Sequence, residues 1–243
     1  VAASAAALLI GDELLSGKVR DQNLYALATT LRGLGIELRR VSIVRDDVEA
    51  IAREVAELSR SHDVVFTSGG VGPTHDDVTM QAVAKAFGVP TTLDPLTEHK
   101  LRDVYGARCR DVHLRMATVP EGATMAVPAE GAWPTVIMRN VWVLPGVPEI
   151  FRNKLGVVRE RLCGPAPFVS RAVLTGLEEP ELVPPLERVV SEHSAVTIGS
   201  YPNWSGVRYR TKVTFDARDP AAVQAALDAF VALLPGGEPV AIE

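Results

Sequence analysis

Residues 66–79 constrain this chain more than any other stretch: Phe-Thr-Ser-Gly-Gly-Val-Gly-Pro-Thr-His-Asp-Asp-Val-Thr. A short apolar run at 64–66 leads into it, and a helical pattern of apolar residues follows it. Glycine lets the backbone take positive φ and approach a ligand closely. A helix that starts just after such a loop offers unpaired N–H groups and the positive end of its dipole. Strand, glycine-rich loop and helix N-terminus together seat a phosphate. Asp76 and Asp77 lie in the same loop. Carboxylates and a phosphate repel one another unless a cation joins them, so a divalent cation is implied.

With 243 residues and 47% hydrophobic content, the chain can build one large core and one small one. No apolar run approaches the roughly 18 residues of a membrane span. The net charge of −5 and the lack of a basic cluster argue against nucleic acid or an anionic membrane as partner. Cys109 and Cys163 are far apart and form no metal-ligand pair. The small apolar start at 1–7 has no basic region before it, so it reads as the approach to a first strand rather than a leader, and a cytoplasmic location is expected. The absent initiator methionine points to a trimmed or partial chain.

The pattern predicts strands at 5–10, 36–44 and 63–67, with helices between them. Asp21 is placed to cap the first helix, which ends at Gly33 and Gly35. Asp46 is read as the N-cap of the second, with Glu49 completing a capping box. A helix over 78–87 follows the glycine loop, and one of Asp76 and Asp77 is expected to cap it. Asp94-Pro95 opens a further helix. Residues 106–131 predict an irregular segment with some helix. Two short strands, 135–138 and 141–144, flank an Arg139-Asn140 turn, and a helix runs on to about Leu162. Gly164-Pro165-Ala166-Pro167 reads as a linker. Beyond it come strand 168–175, helix 180–192, strands 195–201 and 207–215, a helix from Asp219-Pro220 to 234, and a last strand at 239–242. This β-α-β-β-α-β order is ferredoxin-like. The organisation expected is therefore an α/β domain at 1–164, with a mostly parallel sheet, and a small α+β domain at 165–243.

Four polar loops directly follow predicted strands, at 11–17, 45–47, 68–77 and 145–149. If the strands are parallel these loops share one edge of the sheet, where α/β proteins bind ligands. Residues 11–19 are not a P-loop, because five residues separate the glycines and Val19 stands where a magnesium-binding hydroxyl belongs. Gly69-Gly70-Val71-Gly72 is not a nicotinamide-binding fingerprint, and no serine nucleophile elbow is present.

Residues 69–79 resemble the signature of the MoaB/MogA-like molybdopterin-binding fold. Gly11-Asp12-Glu13-Leu14-Leu15-Ser16-Gly17 with Asp21-Gln22-Asn23 resembles its N-terminal signature, and Leu144-Pro145-Gly146-Val147-Pro148-Glu149 its second loop. His75-Asp76-Asp77, together with Gly199-Ser200-Tyr201-Pro202-Asn203-Trp204, narrows the resemblance to the CinA N-terminal domain and, most closely, to the molybdopterin-binding-type domain of eukaryotic FAD synthases. The resemblance implies a three-layer fold, a homo-oligomer, and a small-molecule nucleotide or pterin phosphate as ligand. It implies phosphate or nucleotide contacts from Thr67, Ser68, Gly69, Gly70, Val71, Gly72, Gly11, Asp12, Asn23, Asp46, Pro145 and Gly146, and catalytic roles for Asp77, Asp76 and His75. In the CinA group it implies a metal-dependent pyrophosphatase acting on FAD, ADP-ribose or similar dinucleotides, with a divalent metal as cofactor (Mg, Co or Ni) held by Asp77 with Asp76 or Glu13. The alternatives are a molybdopterin-binding or adenylylating protein and a non-catalytic nucleotide-binding regulator. Neither the amidohydrolase part of CinA nor the adenylyltransferase part of FAD synthase is expected in this stretch. His75 and Asp12 are the candidate general bases. His62, His99, His113 and His193 read as surface or structural, and Trp133, Trp142 and Trp204 as core or interface.

Overall fold

The computed structural model describes residues 1–127, 133–205 and 208–243. It divides into two compact units, Val1–Pro165 and Ala166–Glu243. The first begins with β1 (Ser4–Ile10), the one-turn α1 (Asp12–Leu15), α2 (Asn23–Gly33), β2 (Glu37–Val44), α3 (Val48–Ser61), β3 (Val64–Ser68) and α4 (Thr79–Phe87). It continues with β4 (Thr91–Leu93), α5 (Pro95–Tyr105), the one-turn α6 (Asp111–Leu114), β5 (Thr118–Pro120), β6 (Thr124–Ala126), β7 (Thr135–Met138), β8 (Val141–Leu144) and α7 (Pro148–Arg161).

Six strands form one sheet in the order β2-β1-β3-β8-β7-β6. The pairs β2–β1, β1–β3 and β3–β8 are parallel, whereas β7 runs antiparallel to both β8 and β6. Every residue of β1 and β3 is buried, as the continuous apolar runs of strands covered on both faces require. The pleat sorts them. Ala6, Leu8 and Ile10 pack with Ile51, Val55 and Leu58 of α3 and with Ala82 and Val83 of α4. Ala5, Ala7 and Phe66 pack with Leu27 and Leu31 of α2 and with Phe151 and Leu155 of α7. Helices on both faces make three layers.

The second unit holds β9 (Val169–Thr175), α8 (Glu179–Glu192), β10 (Thr197–Pro202), β11 (Thr211–Ala217), α9 (Pro220–Ala232) and β12 (Ala241–Ile242). Its antiparallel sheet, in the order β10-β11-β9-β12, is that of the ferredoxin-like arrangement. Its own core includes Val173, Leu182, Phe215, Leu227 and Phe230, so the alternation along β11 buries Val213 and Phe215 as the pattern predicts.

Several local expectations are corrected. Asp46 does not cap α3. Asp47 does, accepting a 2.8 Å hydrogen bond from Ala50 N–H, because Asp46 turns the other way. Asp21 accepts from Leu24 N–H at 2.8 Å although the regular helix starts at Asn23. The strand expected over 207–215 starts at Thr211, and Val207 lies outside the described residues. Within 106–131 the structure places α6 and two 3-10 turns, Gly106–Arg108 and Arg115–Ala117. It also places β6 and β5 there, β5 pairing with β4 as a two-stranded ribbon. Residues 128–131 of that stretch lie outside the described residues. Three-residue strands carry too little alternation to be legible in a sequence.

Candidate functional site

Because β2, β1, β3 and β8 are parallel, the loops after them emerge at one edge. Backbone bonds join these loops: Gly11 N–H donates to Val44 O at 3.1 Å and Gly69 N–H to Leu144 O at 3.2 Å. Asp12 N–H donates to Asp46 Oδ2 at 2.8 Å. The chain leaves β1 toward β2 on one side and returns to β3 on the other, which opens a crevice between the loops after β1 and β3.

Asn23 ties the edge together. Its Nδ2 donates to Ser68 Oγ at 3.0 Å and to Gly146 O at 2.8 Å. A backbone carbonyl only accepts, so the carboxamide has one possible orientation. That orientation leaves Oδ1 buried with no hydrogen-bond partner among the described residues, on a side chain 3% exposed. A buried acceptor of this kind calls for a donor from ligand or water.

The glycine turn is closed from within. Gly69 has φ 114° and Gly70 φ 64°. A Cβ on Gly69 would lie 2.2 Å from the carbonyl oxygen of Ile10, and one on Gly70 would lie 2.4 Å from Thr79 Oγ1. These glycines therefore serve the packing of the turn between β1 and α4 before any ligand is considered. Thr79 completes the closure, donating from N–H to Gly70 O at 3.0 Å and from Oγ1 to Gly69 O at 2.8 Å.

Neither Asp76 nor Asp77 caps α4, whose N-terminus has no side-chain cap. This overturns the capping expectation. Asp77 Oδ2 instead accepts from Thr74 N–H at 2.8 Å, inside a tight turn closed by Asp77 N–H to Thr74 O at 3.3 Å. Thr74 Oγ1 lies 2.5 Å from Asp77 Oδ2 and 2.6 Å from Asp76 Oδ1. A hydroxyl has one proton, so it serves one of the two carboxylates at a time.

Two cavities share His75. One, of about 320 Å³, is lined by Gly70, Gly72, Asp77, Gln81 and Arg115, with Val71 in its wall. The other, of about 790 Å³, is lined by Asp12, Glu13, Lys18, Arg45, Asp46 and Asp76. The expected metal ligands are thus divided, Asp77 facing the first and Asp76 and Glu13 the second. The His75 side chain is 95% exposed, with Nδ1 3.8 Å from Asp76 Oδ1. A third hollow, of about 80 Å³, takes Asn23, Ser68 and Gly146. Pro145 meets the edge through its carbonyl, which accepts from Ser68 Oγ at 3.5 Å. Gly11 is buried beneath the loops, and Thr67 is wholly buried in β3 and lines none of these cavities.

The basic residues here escaped sequence reasoning. Arg45 holds Asp12 in a two-bond fork at 2.9 and 3.1 Å. Arg115, on the 3-10 turn before β5, has no side-chain partner among the described residues and reaches the cavity of Asp77. No local motif marks it; the pairing of β5 with β4 and the packing of β5 against α4 bring it there.

Residues 6–162 match the family described as probable molybdopterin binding domain, and residues 167–243 match the FAD synthase middle domain. The chain belongs to the molybdopterin-binding domain family. A protein of Archaeoglobus fulgidus is 32% identical, the match covering 93% of this chain and 95% of that one. A probable FAD synthase of Caenorhabditis elegans is 32% identical over 96% of this chain and 50% of its own length. The chain therefore spans about half the length of the curated FAD synthases it matches. The crystal structure of CinA from Thermoplasma acidophilum, 28% identical, covers 65% of this chain and 97% of that chain with a TM-score of 0.60. No helix among the described residues is long and apolar enough to cross a membrane.

Within this molybdopterin-binding-type edge the carboxylates differ in character. The hydrogen bond from Arg45 holds Asp12 below the usual carboxylate range, which makes it a poor proton acceptor and leaves His75 as the candidate base. The Thr74 hydroxyl likewise lowers Asp76. Burial pushes Asp46 up, and the charges of Glu13, Asp12 and Asp76 add to it. The folded state thus keeps the Asp46 proton to higher pH than the unfolded chain does. Its contribution to stability is present at low pH and is lost as pH rises from the ordinary aspartate range through the raised value. Asn in this place can still accept from Asp12 N–H. Asp46→Asn is expected to melt above the parent at neutral pH, the gap closing below the ordinary aspartate range; parallel thermal melts at the two pH values check this.

Among the described residues no three His, Cys, Asp or Glu side chains converge to hold an ion unaided. The donors do fit the kind of site in which one or two carboxylates hold a hard cation whose remaining positions go to phosphate oxygens and water.

Proposed function

We propose that this molybdopterin-binding-type chain is a divalent-ion-dependent hydrolase of pyrophosphate-linked nucleotides such as FAD or ADP-ribose. One observation carries the reading: the start of α4, which has no side-chain cap, the carboxylate-bearing Asp77 and Arg115, whose guanidinium has no partner among the described residues, line a single cavity. That combination suits a phosphate that arrives with a cation. The amides of the glycine loop and the first turn of α4 would bind one phosphate, and Arg115 would offset its remaining charge. Asn23 Oδ1 would take a donor such as a ribose hydroxyl. An ion held by Asp77 and Asp76, whose carboxylates meet at the Thr74 hydroxyl, would polarise the phosphate and lower the pKa of a bound water. His75, at the rim beside Asp76, would take the proton of the attacking water. Most of the rate enhancement would be positional and electrostatic.

The family description and the FAD synthase relatives favour a second reading, a pterin-phosphate binder or adenylyl-transferring protein. A screen of FAD, ADP-ribose and related nucleotides with magnesium, cobalt and nickel, products separated by chromatography, separates the two. The hydrolase reading expects AMP as a product without ATP. A product that forms only with ATP and a pterin acceptor supports the other. Arg115→Gln is expected to raise KM about tenfold with kcat little changed; steady-state kinetics showing an unaltered KM would remove Arg115 from phosphate binding.

A further inference from the structure

The second unit contains a cavity of its own, of about 490 Å³, that the reading above does not use. Its walls come from the first turn of α8 (Glu178, Glu179, Pro180, Val183), from the end of β10 (Pro202, Asn203, Trp204) and from the start of β11 (Arg210, Thr211). The ladder holds these segments in place: Asn203 N–H donates to Arg210 O at 2.7 Å, and Arg210 N–H to Thr175 O of β9 at 2.8 Å. Thr211 Oγ1 donates to Leu177 O at 2.8 Å beneath the cavity. Of the two places expected from sequence for Trp204, core or interface, the structure excludes the core: it is 91% exposed. Among the described residues its indole has no ring or hydrogen-bond partner, and neither the Asn203 carboxamide nor the Arg210 guanidinium has a side-chain partner.

We infer that this cavity binds an uncharged planar heteroaromatic ring with N–H groups on its edge, of the adenine or isoalloxazine class. An indole face and the apolar walls of Pro180, Val183 and Pro202 suit a flat ring. Asn203 offers one donor pair and one acceptor along the ring edge. Glu179 Oε1 already accepts from Ser200 Oγ at 2.6 Å, and the Glu178 carboxylate lines the cavity beside it, the Glu178 N–H being taken by the Glu181 carboxylate at 2.9 Å. Their remaining lone pairs are acceptors for ring N–H groups. Two carboxylates against one guanidinium make the rim unfavourable for a phosphate. The volume is within the range of small-molecule sites.

The test uses the full chain and phosphate-free probes, adenosine and riboflavin, titrated by calorimetry and by tryptophan fluorescence. At least one of them is expected to saturate a single site. Trp204→Ala, at an exposed position that leaves the fold intact, is expected to weaken binding at least about tenfold. Asn203→Leu, which keeps bulk and strips the edge partners, is expected to weaken it as well. Asp77→Asn is expected to leave ring binding unchanged, so this inference and the hydrolase reading fail separately. No saturation by either probe at millimolar concentration, an affinity indifferent to Trp204→Ala, or loss of binding in Asp77→Asn would overturn it.

Discussion

Gly69→Ala is expected to lower the stability of the first unit by more than about 3 kcal/mol. Two independent penalties meet at this residue. A φ of 114° is a conformation L side chains rarely adopt, and the added Cβ would stand 2.2 Å from the carbonyl oxygen of Ile10. That oxygen cannot retreat easily, since β1 is paired on both sides, to β2 and to β3. Gly88 supplies the control. It too has positive φ, 67°, but a Cβ there meets nothing within 4 Å, so Gly88→Ala should cost only about 1 kcal/mol. Urea unfolding of the two variants beside the parent measures both. Equal losses would show that backbone conformation alone, and not the approach to β1, sets the requirement for glycine.

Asp77→Asn carries the largest functional effect. Its oxygen can still accept from Thr74 N–H, so the turn should persist, and the change in stability should stay within about 1 kcal/mol. The lost charge is another matter. If Asp77 holds the ion that neutralises the phosphate, ion-dependent cleavage falls by at least about a hundredfold. Rates measured at several ion concentrations distinguish weaker ion binding from a poorer chemical step. A variant that cleaves at the parental rate with the ion present would take Asp77 out of the mechanism.

What was legible in the sequence follows from which signals are local. The buried strands β1 and β3 are continuous apolar runs, and the loops after them are rich in glycine and acids, so a parallel sheet with a polar edge could be read without coordinates. The β-α-β-β-α-β order of the second unit was legible for the same reason. Side-chain direction was not. Asp46 and Asp47 are adjacent acids before a helix, and only the meeting of the loops after β1 and β2 decides that Asp46 bonds to Asp12 N–H while Asp47 caps α3. Likewise Thr74, through its own N–H and hydroxyl, draws Asp76 and Asp77 back from the helix they precede. Arg115 lies where three-residue strands and single helical turns follow one another, and its place at the cavity depends on pairing over a long sequence separation. Cations that reach a cavity in this way emerge only once the fold is in hand.

The central claim is that the edge of the parallel sheet hydrolyses a pyrophosphate bond. Its most direct test is mass spectrometry of the products formed when the chain is incubated with FAD and a divalent ion in water labelled with heavy oxygen. The account predicts AMP and FMN in equal amounts, one labelled oxygen on one of the two phosphates, and no reaction once the ion is chelated. Intact FAD after prolonged incubation with magnesium, cobalt and nickel, with ADP-ribose equally untouched, would contradict it.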